Sequence, residues 1–115
     1  MTDYVHQKCE ACRPGAPEAT EGEKKHFLER HPEWAIKDVD GVPQLHRTYT
    51  FKNFLQALAF TQKIGELAES EDHHPAIVTE WGKVTVQWWS HKIKNLHKND
   101  LIMAAKSDAL YAESA

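Results

Sequence analysis

Residues 53–91 read NFLQALAFTQKIGELAESEDHHPAIVTEWGKVTVQWWSH, and the reading of this stretch sets the fold class. The first half has a helical pattern. Asn53 is a candidate N-cap with Gln56 three residues on, so side chains can satisfy free backbone N–H groups at the helix start. Phe54, Ala57, Leu58, Thr61, Ile64, Gly65 and Ala68 recur at a helical period of about 3.6 residues and predict one inward face. Gly65 lowers helix propensity, which marks it as a place of close approach to a neighbour. The second half changes period. AIVTEW and KVTVQWW are joined at Gly82, and Val84, Val86 and Trp88 alternate with Thr85, Gln87 and Trp89, the two-residue period of a strand. A long helix therefore runs into a β-hairpin through the loop "DHHP".

The flanks repeat that logic. Thr20 and Glu23 form a T-x-x-E capping box that opens a helix. Pro32 disfavours helical geometry in the residue before it, so the helix should stop at His31. Asp40-Gly41 signals a type I′ hairpin turn, because both central positions need positive φ. Trp34, Ile36 and the run 42–51 supply β-formers on either side, with Pro43 tolerable near a strand start or at an edge. The tail "NDLIMAAKSDALYAE" reads as a last helix, with Leu101, Ile102, Ala105 and Ala109 facing inward and Asn99 or Asp100 as its cap. Residues 1–18 end in "CRPGAPEA" and read as a flexible N-terminal arm, followed by a single domain over 19–115. The order is helix, hairpin, helix, hairpin, helix. It predicts an α+β fold: a four-stranded antiparallel sheet with three helices packed on one face.

Composition narrows the function. A chain of 115 residues suits one domain, and 41% hydrophobic with 27% charged residues is ordinary for a globular protein. The net charge is −3 with no block of Lys or Arg, so the electrostatic footprint of a nucleic-acid binder is missing. No apolar run approaches the roughly 20 residues of a membrane span. The start "MTDYVHQKCE" lacks an apolar signal-peptide core, so the expected location is cytoplasmic. Cys9 and Cys12 form a CxxC in this arm. A structural zinc site would need two further ligands, with His6 and His26 the available ones. A redox motif would need a strand-then-helix context that this arm lacks. The plain reading is a pair of reduced thiols.

The chemistry lies in "ESEDHHP" and the histidine after the Trp-rich strand. His73 and His74 are neighbours, so they need not share a target. Pro75 presses His74 toward extended geometry, which makes this a loop opening a strand, a common place for a site. Glu69, His73 and His91 could make a metal-ligand set, with Glu69 and His73 at i, i+4. The acid–base reading fits better. Imidazole titrates near neutrality, so histidines can supply both an acid and a base without a metal. Glu69, Glu71, Asp72 or Asp100 could orient a ring, and Trp81, Trp88 and Trp89 could form an apolar wall for an aromatic ligand. Against this, Trp in a strand is commonly core, and Asp100 is equally a helix cap.

Glu69, His73-His74-Pro75, Trp81, His91 and Asp100 stand at the spacing of a known signature. It resembles that of the pterin-4a-carbinolamine dehydratases, and the likeness covers about residues 20–108, including "YTFKNFLQALAFTQKIGELAE" and "HHPAIVTEWGKVTVQWWSH". The resemblance implies a four-stranded antiparallel sheet with helices on one face, and dimers or tetramers. It implies dehydration of the 4a-carbinolamine left by aromatic amino acid hydroxylases, giving quinonoid dihydropterin with no metal or organic cofactor. Carried over residue by residue, His73, His74 and His91 match the active-site histidines, with His73 and His91 as proton carriers and His74 against the pterin or as a base. Glu69 and Asp72 would bond the pterin or position a histidine, and Pro75 and Trp81 would likewise bind or orient the substrate. Asp100 would orient His91 or support the wall. One departure is His97, where many members have a capping Thr. Another is Asn99, where some have a basic residue. Some members act as dimerisation partners of transcriptional regulators, so a non-catalytic binding module of the same fold is the alternative reading.

Overall fold

The computed structural model describes residues 4–7, 9 and 16–114. Its elements are a 3-10 turn Tyr4–His6, α1 Glu21–Arg30, β1 Ala35–Val39, β2 Val42–Thr50, α2 Phe54–Glu71, β3 Ala76–Glu80, β4 Lys83–Trp88 and α3 Lys98–Ser114. The four strands form one antiparallel sheet in the order β1-β2-β4-β3. This is the α-β-β-α-β-β-α arrangement expected from the sequence.

Local chemistry explains the boundaries. The capping box at α1 is complete: the Glu23 N–H donates to Thr20 Oγ1 at 3.0 Å, and the Thr20 N–H donates to Glu23 Oε1 at 2.8 Å. Asp40 (φ 53°) and Gly41 (φ 82°) make the turn between β1 and β2, with both residues at positive φ as a type I′ turn requires. Pro43 pairs only toward β1, since the ladder with β4 begins at Leu45. Gly82 (φ 73°) turns β3 into β4. A Cβ there would come within 3.1 Å of the Phe51 carbonyl oxygen, so both conformation and space call for glycine.

The core lies between one face of the sheet and the helices. Leu45, Tyr49, Val84, Val86 and Trp88 are buried at alternate strand positions, against Ala57, Phe60, Ile64 and Ala68 of α2 and Leu101, Ile102 and Ala105 of α3. The opposite face carries Thr48 bonded to Thr85 (3.0 Å) and Gln87 bonded to Gln44 (2.9 Å). The inward face of α2 differs in part from the pattern read in the sequence. Phe54 and Leu58 are exposed and Phe60 is buried, because α2 carries apolar residues on more than one side and packing selects between them. Outside its own helix, no described residue lies within 4 Å of a Cβ built at Gly65, so the close approach expected there is not made among the described residues.

Every residue from Leu101 to Ala105 is buried. A helix that is apolar all round must be covered all round, and the arm supplies part of the cover. Tyr4 is buried edge-on against Phe27 with centroids 6.1 Å apart. Lys106 Nζ on α3 donates to the Val5 carbonyl at 2.9 Å. At its described positions, one aromatic anchor and one lysine clamp join the arm to the helices, while residues 1–3, 8 and 10–15 lie outside the described residues.

Candidate active site

Three segments meet at the open end of the β3–β4 hairpin: the end of α2, the loop after β4 and the first turn of α3. Asp72 ends α2 in left-handed geometry, φ 50° and ψ 44°. The His73 N–H then reaches the Ala68 carbonyl at 3.1 Å, and the Asp72 N–H reaches that of Glu69 at 3.2 Å, a Schellman closure. Glycine is the ordinary residue at such a position, so an exposed aspartate there is notable. The reversal sends His73 inward, where it is only 4% exposed. Pro75 then commits the chain to β3.

His73 Nε2 lies 2.6 Å from Oδ1 of Asp100, which is fully buried. Oδ2 of the same carboxylate accepts from Ser90 Oγ at 2.8 Å and from the His97 N–H at 2.8 Å. The Trp88 indole lies parallel to the His73 ring, 6° between planes and 5.8 Å between centroids. Its Nε1 donates to Ser107 Oγ at 3.2 Å on α3, which fixes the indole in turn. On the outside, His74 Nε2 meets Glu69 Oε1 at 2.5 Å. His91 Nε2 meets the His74 carbonyl oxygen at 3.1 Å, and the His91 ring packs on Trp89 at 4.4 Å.

These contacts set the tautomers. A carbonyl or carboxylate oxygen only accepts, so each of the three rings carries its proton on Nε2. In each neutral ring Nδ1 is then the lone-pair nitrogen. The chain fixes all three imidazoles through the same nitrogen and leaves the other as the atom that can take up a proton.

The expected residues are not all gathered. His73, His74, His91, Glu69 and Asp100 converge, with Asp72 and Pro75 between them in sequence. Asp100 holds His73, whereas His91 is held by a backbone carbonyl, so the partner expected for Asp100 is replaced by another. The reason is alternation beyond β4: Trp88 and Ser90 are buried, while His91 is exposed on the side of Trp89. Trp81 is exposed at the tip of the hairpin, six residues and roughly 20 Å of strand from Pro75. Trp88 is core as well as ring partner. Neither Asn99 nor Asp100 is the cap of α3. His97 takes that place, its Nδ1 accepting from the Asn99 N–H at 2.9 Å while Asp100 reaches back to the His97 N–H. The arrangement resembles a capping box, with histidine in the Ser/Thr position and its side chain bonded to the second helical N–H instead of the third.

Glu69 is engaged by His74 and His73 by Asp100, so Glu69, His73 and His91 lie at the same end of the hairpin without forming a ligand set. Among the described residues no group of three or more His, Cys, Asp or Glu is arranged to hold a metal ion. Cys9 is half-buried, and its N–H donates to Glu71 Oε1 at 2.9 Å. Burial, then the nearby Glu71 charge, pushes its thiol up to about 12, which keeps it protonated and unreactive at neutral pH. Cys12 lies outside the described residues. Two features went unnoticed in the sequence. Ser90 has no motif of its own. Asp108 on α3 gathers His31, Trp34, Arg47 and Tyr49, residues too scattered along the chain to be joined by spacing.

Comparison with known proteins shows the family. The family model described as Pterin 4 alpha carbinolamine dehydratase matches residues 17–110. A protein of Syntrophotalea carbinolica named "Putative pterin-4-alpha-carbinolamine dehydratase" is 64% identical over 110 residues, covering 96% of this chain and 98% of that one. One of the same name from Marinobacter nauticus is 56% identical over 111 residues, covering 96% of this chain and all of the other. Among solved structures, a transcriptional coactivator/pterin dehydratase from Brucella melitensis superposes with a TM-score of 0.71 at 30% identity, over 82% of this chain and 98% of that one. A pterin dehydratase-like protein described as a RuBisCO assembly factor of the alpha-carboxysome shares the fold, with a TM-score of 0.59 at 24% identity over 69% of this chain and 89% of that one. The chain belongs to the pterin-4a-carbinolamine dehydratase family of hydro-lyases.

Proposed function

We propose that this chain converts 4a-hydroxytetrahydrobiopterin, or a closely related pterin-4a-carbinolamine, to quinonoid dihydropterin and water by histidine acid–base catalysis. The observation that carries this reading is the set of three imidazoles at one end of one hairpin, each fixed through Nε2, with His73 backed by a buried carboxylate. In the reaction the C4a–O bond breaks. The departing hydroxyl takes a proton from an acid and leaves as water, and a ring N–H proton passes to a base, so protons balance with no added reagent. His73 and His91 are the proton carriers, each through Nδ1. Asp100 stabilises the imidazolium form of His73, as a buried carboxylate behind a catalytic histidine does. His74 and Glu69 face the pterin from the exposed side, with His74 able to act as a base, and Asp72 and Pro75 shape the turn beside them. No cofactor takes part, since proton transfer alone completes the step.

The same reading puts the protein in the cytoplasm, in tetrahydrobiopterin recycling after aromatic amino acid hydroxylation. It also expects a homodimer or homotetramer. Leu55 on α2 is 75% exposed beside Phe54 and Leu58, an apolar stripe that a second subunit would cover. A second reading, a regulatory binding module, draws support from the coactivator description of the Brucella structure.

Stopped-flow dehydration of a carbinolamine generated in situ tests the first reading. Wild type should accelerate the ultraviolet decay to quinonoid dihydropterin. His73→Ala and His91→Ala should each lose about 10²- to 10⁴-fold while remaining folded. No acceleration over buffer would overturn the enzymatic reading and leave the binding module.

A further inference from the structure

We propose that Ser90 is a positioning residue for the reaction, acting on His73 through Asp100 and on His91 through the backbone. The inference rests on the reading of His73 as a proton carrier.

The Asp100 carboxylate is fully buried and its ion-pair partner among the described residues is His73. Its two oxygens have separate duties. Oδ1 faces His73, whereas Oδ2 receives the Ser90 hydroxyl and the His97 N–H, both at 2.8 Å. Those two donors sit at opposite ends of the loop after β4. That loop is closed on itself, since the Ser90 N–H donates to the Asn95 carbonyl at 2.9 Å and Lys94 turns at φ 50°. Asp100 therefore clamps both ends of the loop with one oxygen and holds the catalytic ring with the other.

The His97 donor is a backbone amide fixed by the start of α3. Ser90 is the side-chain donor of the pair, and it is 2% exposed, so no water-facing role competes for its hydroxyl. With that hydroxyl removed, Oδ2 keeps one donor and the carboxylate can turn about its Cβ–Cγ bond. Oδ1 would then leave the line of His73 Nε2. The next residue is His91, so the same loss frees the segment that aims the second proton carrier. His74 and Glu69, which face the pterin, share no hydrogen bond with Ser90. Loss of Ser90 should thus lower kcat and leave KM nearly unchanged.

The experiment compares Ser90→Ala, Ser90→Cys and Ser90→Thr with wild type and His73→Ala. Stopped-flow dehydration gives kcat and KM, and proton NMR follows the downfield resonance of the short His73 Nε2–H···Asp100 hydrogen bond. A hydrogen bond to a charged group corresponds to about a 10- to 100-fold change in rate. Ser90→Ala should lose kcat by that factor and shift or broaden the resonance. Ser90→Thr should restore both, because it returns a hydroxyl. Ser90→Cys, with a weak donor of similar size, should fall between and carries the test if the alanine variant does not fold. Wild-type kcat and an unmoved resonance in folded Ser90→Ala or Ser90→Cys would overturn the proposal. So would an equal loss in Ser90→Thr. Wild-type kcat in His73→Ala would overturn the reading of the site and this role with it. Loss in His73→Ala alone would overturn this role only.

Discussion

Helix α3 carries two Asp–His pairs, one buried at Asp100 and one half-buried at Asp108, eight residues and about 12 Å apart along its axis. Asp100 meets His73 at 2.6 Å, and Asp108 meets His31 at 2.7 Å. By distance alone they are alike. Their surroundings differ. Asp108 also receives Arg47 at 2.7 Å, the Tyr49 hydroxyl at 2.6 Å and Trp34 Nε1 at 3.0 Å, so a guanidinium neutralises it and fixed donors surround it. Arg47 in turn lies 4.4 Å over the Tyr49 ring, a cation–π contact. Burial pushes the Tyr49 phenol up, as does the Asp108 charge, so the phenol remains a neutral donor. Burial works against the Asp108 charge, but hydrogen bonds from His31 and Tyr49, with Arg47 and Trp34, hold its carboxyl below the usual range. This node ties the end of α1, the start of β1, strand β2 and α3. Among the described residues Asp100 has no such guanidinium, and its ion-pair partner is His73. Its negative charge stabilises an imidazolium when one forms beside it. The comparison teaches that an Asp–His pair becomes a candidate site when the carboxylate's positive partner is the histidine itself.

The largest test of that distinction is Asp100→Asn. It should cut kcat by about 10²- to 10⁴-fold with the fold kept, read by stopped-flow dehydration beside circular dichroism. A rate near wild type would make Asp100 a second structural node and end the distinction. Asp108→Asn should do the reverse. It leaves the half-buried Arg47 with only Glu33, at 3.8 Å, which costs about 2 kcal/mol in urea unfolding, while kcat of the folded protein stays near wild type. A large kcat loss with full stability would break the comparison from the other side.

The acid range sharpens it. The Asp108 carboxyl is lowered in the folded chain, so its contribution to stability is present above the unfolded value of about 3.9 and fades as pH falls through the lowered folded value. The stability gap between wild type and Asp108→Asn should be constant from about pH 5 to 7 and shrink below about pH 4. A gap that persists or grows on acidification would contradict the charge as its source. The smallest expected effect is at the other histidine. His31→Gln removes one of several donors to Asp108 and should cost about 1 kcal/mol with unchanged dehydration, whereas His73→Gln should abolish most of the rate.

Much of this was legible along the chain. The capping box at Thr20, the turn at Asp40-Gly41, the long helix from Asn53 and the Gly82 hairpin all depend on residues within a few positions of one another, so their local chemistry decides them. The spacing from Glu69 to Asp100 likewise pointed to the family. The inward face of α2 was less legible, because Phe54, Leu58 and Phe60 are all apolar and only packing selects Phe60. The cap at His97 was missed because its ring replaces the usual hydroxyl.

The sequence by itself determined the order of elements and the family, because periodicity, turn stereochemistry and motif spacing are properties of neighbouring residues. The tertiary structure alone decided which acid serves which histidine. It paired Asp100 with His73 across 27 positions and Asp108 with His31 across 77, and it left Trp81 at the far tip of its hairpin. The physical reason is that a hydrogen bond depends on distances of a few ångströms in space. Those distances are set when sheet and helices pack, and sequence separation carries no record of them.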